Sequence, residues 1–342
     1  MGTGRGPVVP VVAGGFGKSV EGSSVFVTGG HGLLGSWLCE RLLDLGAGVT
    51  VLRREPQPAS ALVLTGNEAR CDVVDGDLLD ASLLEHVVAE REVDTVVHLA
   101  AQAIVGVART SPRSTFEANV VGTWNVLEAA RLAGVGRVVV ASSDKAYGPS
   151  DVLPYVEELP LRAQFPYDAS KAAADLIARS YWHTYGLPVA VTRLANLYGG
   201  GDQNRSRLVP EAMGAVLEER RPVVRSDGSP ERDYLYAEDA TGAYLAVLDL
   251  LAAGEGAGEA FNAGSGVPRR AIEVVEEILR VAGSDLAPEI QGTGVPQGEI
   301  ERQVIDSSRL EAATGWKATT PLEDGLARTL AWYREYPQAL GI

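Results

Sequence analysis

The chain is poor in cysteine, with only Cys39 and Cys71 among 342 residues. The two lack the paired spacing of a metal site, and so few do not make a disulfide framework. Long hydrophobic runs are missing as well. No window approaches the ~18 to 20 uncharged apolar residues that cross a bilayer. Positive charge is in deficit: 30 Lys and Arg stand against 45 Asp and Glu, a net charge of -15. That balance argues against nucleic acid or an anionic membrane as partner. An anionic ligand would therefore need a local cluster of arginines. There is no internal repeat and no low-complexity tract. Residues 1–23 are rich in Gly and Val but lack the charged start and unbroken apolar run of a secretory signal. They are expected to form a disordered leader, with Val-Val-Pro-Val-Val a loosely docked part of it. The expected location is the cytoplasm.

What is present is ample material for a core, at 46% hydrophobic residues, arranged in a regular alternation. Val25-Phe26-Val27 reads as a buried strand, followed by a helix to about Leu45. Further strands are read at Val49 to Leu52, Asp72 to Val74, Thr95 to Leu99 and Arg137 to Ala141. Helices Ala81 to Glu92 and about Phe116 to Ala133 separate the last three. A further helix, a strand at Val189 to Arg193 and a loop from Asn196 to Asn204 follow. Alternation of this kind predicts an α/β fold with a parallel, doubly wound sheet.

Between the first strand and its helix, Gly29, Gly32 and Gly35 recur every three residues. The first permits a tight turn, the second lets the backbone approach a pyrophosphate, and the third packs helix against strand. Amides at the helix start then bind the anion. The second strand ends in Arg53-Arg54-Glu55. An arginine there suits the 2′-phosphate of NADP, whereas Glu55 would suit the ribose hydroxyl of NAD. The reading favours NADP, with NAD the alternative.

Two downstream segments carry proton-handling groups. Tyr167 and Lys171 are four residues apart, on one face of a helix. A nearby ammonium favours the phenolate, so Tyr167 is expected to take a proton near neutral pH. Ser143-Asp144-Lys145 follows the apolar strand Arg137 to Ala141, at the strand end where open α/β sheets bind ligands. A tyrosine base points to redox chemistry at an alcohol. The Asp-Lys pair beside it points to a further step. His31, His98 and His183 read as loop, core and helix-packing residues.

Taken together, these motifs resemble the extended short-chain dehydrogenase/reductases, specifically the nucleotide-sugar epimerases and dehydratases. The resemblance runs almost end to end. It takes in Thr28 to Gly35, Asp77-Leu78, His98-Leu99-Ala100-Ala101 and Asn119 to Asn125. It continues with Tyr167/Lys171, Arg193 to Gly199 and Arg232 to Asp239. It implies a Rossmann-like domain over residues 24–195, with 233–263 returning to it. A smaller mixed α/β lobe would be built from residues 196–232 and 264–342. It implies a tightly held nicotinamide cofactor, regenerated each turnover and contacted by Gly29, Gly32, Leu33, Leu34, Gly35, Arg53, Arg54, Asp77, Leu78, Leu99, Ala100, Ala101 and Asn119, with Tyr167 and Lys171. Ser143, Tyr167 and Lys171 would be the catalytic hydroxyl, base and support. Gln102, Asn196, Arg207, Arg225, Arg232 and Arg302 would hold a nucleoside-diphosphate sugar. Apolar helices around Phe116–Ala133 and Ala169–Tyr185 would form a homodimer face.

Within that superfamily the residues after the catalytic hydroxyl divide the reactions. Dehydratases carry an acid there, usually an Asp-Glu pair. Asp144-Lys145 departs from that pair and resembles the Asp-Lys of CDP-glucose 4,6-dehydratases and of some UDP-N-acetylglucosamine dehydratases; Gly199-Gly200-Gly201-Asp202 also resembles the CDP-glucose group. Arg53-Arg54 resembles GDP-mannose dehydratases. The expected function is therefore a nucleotide-sugar 4,6-dehydratase. The alternatives are a 4-epimerase or sugar-acid decarboxylase using the same Tyr167 cycle, and a catalytically quiet nucleotide-binding regulator. The intact Ser143/Tyr167/Lys171 set argues against the last.

Overall fold

The computed structural model of the chain describes residues 15–295 and 300–342. The Val-Val-Pro-Val-Val stretch lies outside them. Among the described residues thirteen strands are distributed over three sheets: β1 (Ser24–Thr28), β2 (Gly48–Arg53), β3 (Asp72–Asp75), β4 (Thr95–His98), β5 (Arg137–Ala141), β6 (Val189–Leu194), β7 (Asn196–Tyr198), β8 (Val223–Val224), β9 (Glu231–Tyr236), β10 (Ala260–Ala263), β11 (Pro268–Arg270), β12 (Glu289–Ile290) and β13 (Arg302–Gln303). The main sheet runs β10-β6-β5-β4-β1-β2-β3 and is parallel throughout. Val25, Phe26 and Val27 are buried on both faces of it, as a strand covered by helices on each side must be.

The order explains where a ligand goes. From β1 the chain winds outward to β2 and β3, then returns to β4 on the other side and proceeds to β5 and β6. The direction of winding reverses between β1 and β4, and a crevice opens at their C-terminal ends. One apolar core lies under helices 33–44 and 237–252, a second under 81–90, 122–133 and 166–185. A third core fills the C-terminal lobe, around Val274, Ile278, Leu326 and Tyr333.

Three segments differ from the sequence reading. Residues 15–23 are docked and not disordered: Val20 is fully buried, and Gly17 and Ser19 donate their amides to the Asp249 carboxylate at 2.6 and 3.0 Å. Asn196–Tyr198, read as loop, is strand β7, paired in parallel with β9. The helix read from Phe116 is a run of α-helix, one π-turn at Glu117–Val121, and the helix Gly122–Ala133. Among the described residues no helix is long and apolar enough to cross a membrane, and no cluster of His, Cys, Asp or Glu is placed to hold a metal.

Candidate active site

The crevice between the two lobes is a cleft of about 1360 Å³. Its floor is the glycine loop. Gly29 has φ +75°, and a Cβ there would lie 2.7 Å from the Ala100 amide nitrogen; one on Gly35 would lie 2.1 Å from the Gly29 carbonyl oxygen. The helix Leu33–Asp44 begins at Gly32 with no side chain capping it. Its first amides are therefore left for an external acceptor, the arrangement that binds a phosphate. The residues present fit a dinucleotide. Leu33, Leu34, Asp77, Leu78, Leu99, Ala100, Ala101 and Gln102 complete this half of the wall.

The end of β2 also lines the cleft, but its arginines are engaged. Arg53 makes two bonds to Asp75, at 2.7 and 3.1 Å, and a third to Glu68 at 3.2 Å. His31 of the glycine loop meets the same Glu68 oxygen at 2.7 Å. Arg54 pairs with Glu55 at 3.0 Å.

At the end of β5 the proton-handling groups come together. Ser143, Asp144, Lys145, Tyr167, Asp168 and Lys171 all line the cleft. Ser143 Oγ donates to Asp144 Oδ1 at 3.1 Å and accepts from the Lys145 amide at 3.2 Å. The Asp144 carboxyl is 2% exposed, and its Oδ2 has no hydrogen-bond partner. Desolvation pushes its pKa up against the opposing pull of Lys145, so the carboxyl is biased to the neutral acid. Asp168 is raised to about 6 for the same reason. Lys145 Nζ donates to Gln303 Oε1 at 3.0 Å.

Burial works against the phenolate expected of Tyr167. Its pKa is pushed up to about 12 by desolvation, with Arg207 and Ser143 pulling the other way. Lys171 donates instead to the Ala141 carbonyl at 2.9 Å, and burial lowers it to about 8. The turn Asp144–Tyr147 is fixed from behind by a buried network. Tyr147 Oη bonds Asn262 and accepts from Arg193, which holds Asp175 of the helix Pro166–Tyr185 through two bonds.

The C-terminal lobe contributes Asn196, Arg207, Arg225 and Arg232 to the opposite wall. Asn196 Nδ2 is buried without a partner. Arg207 pairs with Asp202 at 3.1 Å, and Arg225 donates to the Ser206 carbonyl. Two expected site residues lie elsewhere. Arg302 faces solvent and pairs with Glu231, because successive residues of a strand point to opposite faces. Asn119 is buried behind the wall, where it accepts from the Gln102 amide at 2.6 Å and donates to Ser170 at 2.8 Å. It shapes the loop after β4 rather than lining the cleft. His98 is a core residue, bonded to Thr28 and Thr123 and lowered by burial to about 3. Sequence reasoning passed over Asp168 and Gln303. Asp168 was within view beside Tyr167; nothing local singles out Gln303.

Residues 25–264 match the NAD dependent epimerase/dehydratase family. The chain belongs to that family. It is 32% identical over 316 residues to UDP-glucose 4-epimerase of Mycolicibacterium smegmatis, covering 91% of this chain and 99% of that one. It is also 32% identical over 325 residues to a dTDP-glucose 4,6-dehydratase of an Actinoplanes species, covering 91% and 97%. Among solved structures, the dTDP-glucose 4,6-dehydratase of Streptomyces venezuelae with NAD and TYD bound superposes with a TM-score of 0.82. It is 34% identical, covering 91% of this chain and 97% of that one. These likenesses support a nucleotide-sugar dehydratase or epimerase without dividing the two.

Proposed function

We propose that this chain is a nucleotide-sugar 4,6-dehydratase, converting a nucleoside-diphosphate hexose to its 4-keto-6-deoxy product. Asp144 carries the reading. It is a buried carboxyl biased to the neutral form, with one oxygen unpartnered, beside the Ser143/Tyr167 hydroxyl pair. Redox at C4 alone has no use for such an acid.

Water cannot leave C5–C6 of a hexose until H5 is acidified by a ketone at C4. Tyr167 takes the O4 proton as the phenolate, a form that Arg207 and the positive charge an oxidised nicotinamide would bring favour against the burial that opposes it, and Ser143 bonds the same oxygen. A nicotinamide dinucleotide held over Gly29 to Gly35 supplies the hydride acceptor and later the donor, so none is consumed. Lys145 removes H5 as the amine and, once protonated, stabilises the enolate. Asp168 faces it and offsets the charge gained. Asp144 gives its proton from Oδ2 to the departing 6-hydroxyl. Asn196, Arg207, Arg225 and Arg232 hold the diphosphate and base, which answers the need for local arginines in an acidic protein.

The cofactor of this reading is NADP. Because Arg53 is held by Asp75 and Glu68, the 2′-phosphate contact falls to Arg54, whose solvent-exposed pairing with Glu55 a phosphate would displace. The active form is a homodimer. Trp124, Leu132, Leu176 and Tyr185 are each more than half exposed on the adjacent helices Gly122–Ala133 and Pro166–Tyr185, an apolar face that a second copy would cover. Incubation with a panel of nucleotide hexoses tests the reading. One of them should lose a water by mass; turnover that only isomerises sugars would favour an epimerase.

A further inference from the structure

We propose that Gln303 is a positioning residue for the elimination step, holding Lys145 at the end of β5 by accepting a hydrogen bond from its Nζ. This rests on the dehydratase reading above. Lys145 Nζ and Gln303 Oε1 are 3.0 Å apart. Gln303 is wholly buried, whereas its neighbour Arg302 is turned outward to Glu231. β13 lies beside β9 with Gln303 in register with Arg232. The same short segment therefore reaches two cations of the cleft wall, Lys145 and Arg232. The Gln303 side chain meets Lys145, and the Glu301 carbonyl accepts from Arg232 Nη1 at 3.1 Å. Two residues on, Ile305 bridges to Tyr155, next to the turn that carries Asp144 and Lys145. The C-terminal lobe is thus tied to the reacting end of the main sheet.

The chemistry of an amide suits this place. A hydrocarbon at 303 would remove this acceptor and loosen the placement of a flexible four-carbon lysine stem. A carboxylate would form an ion pair and hold the lysine as ammonium. An uncharged carbonyl oxygen accepts from the amine and the ammonium alike, so Lys145 can change charge during turnover without losing its position. The other end of the amide strengthens the case. Gln303 Nε2 is buried with no hydrogen-bond partner. An unmet donor in a core is costly, and an apolar side chain would fill the same space without that cost. The Lys145 contact is what the glutamine retains. Among the described residues, charged groups facing Lys145 include Asp144 on its own turn and Asp168 on the helix Pro166–Tyr185, with Arg232 of β9 acting on Asp144.

Two variants of the full-length protein, loaded with nicotinamide cofactor, test the assignment on a nucleotide hexose that the wild type dehydrates. In Gln303→Met, C4 oxidation should persist, seen as near-ultraviolet absorbance of the reduced nicotinamide. Release of water at saturating substrate should fall at least about tenfold with KM little changed. Gln303→Glu keeps an acceptor and favours the ammonium, so its elimination rate should be displaced to higher pH. The proposal is overturned if Gln303→Met eliminates within about twofold of wild type or loses both steps alike. A Gln303→Glu profile that superposes on wild type overturns it too, and that variant decides the matter if the methionine variant does not fold. Absence of water loss in the wild type with every nucleotide hexose would instead sink the dehydratase reading.

Discussion

Asp144 is where the chemistry and the physics of this chain meet most closely. A carboxylic acid next to a lysine is ordinarily ionised, yet burial to 2% exposure outweighs Lys145 and raises its pKa. Asp144→Asn keeps the shape and loses the proton. It should leave fold and cofactor retention intact while slowing water release by on the order of 10²- to 10⁴-fold, the usual worth of a general acid. Near-wild-type dehydration would remove Asp144 from the mechanism. Asp168 makes a separate, pH-dependent prediction. Its pKa is raised to about 6 in the fold by desolvation, against about 3.9 unfolded. A raised carboxyl is stabilising in its protonated form, so the folded chain bears a penalty that grows as pH rises from about 4 to 6. Asp168→Asn should accordingly raise the free energy of unfolding at pH 7 to 8, by on the order of 1–3 kcal/mol. The gain should vanish towards pH 4; a gain independent of pH would contradict the titration.

At the scale of elements, legibility followed locality. The strand–glycine-loop–helix unit and the Tyr167/Lys171 pair depend on residues within one or two turns of each other, and the sequence displays them openly. β7 and β13 do not. Each is two or three residues long and exists only because β9 lies beside it, so Asn196–Tyr198 looked like loop and Arg302 looked like a ligand. The outward turn of Arg302 and the inward turn of Gln303 are fixed by a register that no local pattern encodes. The Tyr167 phenol escaped for a different reason: spacing puts a lysine near it, but the size of the desolvation depends on everything that covers it. Asn119 reads as a cofactor contact from its motif, but its bonds to Gln102 and Ser170 commit it to shaping the loop. The end of β2 yields the cofactor prediction. Arg53 is held by Asp75 and Glu68, and Arg54 is paired only with its exposed neighbour Glu55. Dinucleotide extracted from the purified protein should be mainly NADP(H), and Arg54→Ala should weaken its retention. Recovery of NAD(H) alone, indifferent to that substitution, would give the ribose contact to Glu55.

Across the whole molecule, the parallel sheet supplies the cleft floor and the proton-handling groups, and the C-terminal lobe supplies the arginines. The chain is acidic overall, at -15, while cations are gathered at the cleft through Arg207, Arg225 and Arg232. On the outside, Trp124 and Tyr185 share one shallow hollow between helices. The double variant Trp124→Asp, Leu176→Asp should elute at half the mass of the wild type in light-scattering chromatography. A wild type that is already monomeric would remove this face from the assembly. The central claim is that redox at C4 is coupled to elimination at C5–C6. Tyr167 and Lys171 would serve epimerase and dehydratase alike, so only the fate of the C4 hydrogen separates them. With a nucleotide hexose deuterated at C4, the label should appear in the 6-methyl group of a product that has lost water. A label that remains on C4 with the mass unchanged would contradict the account and leave an epimerase.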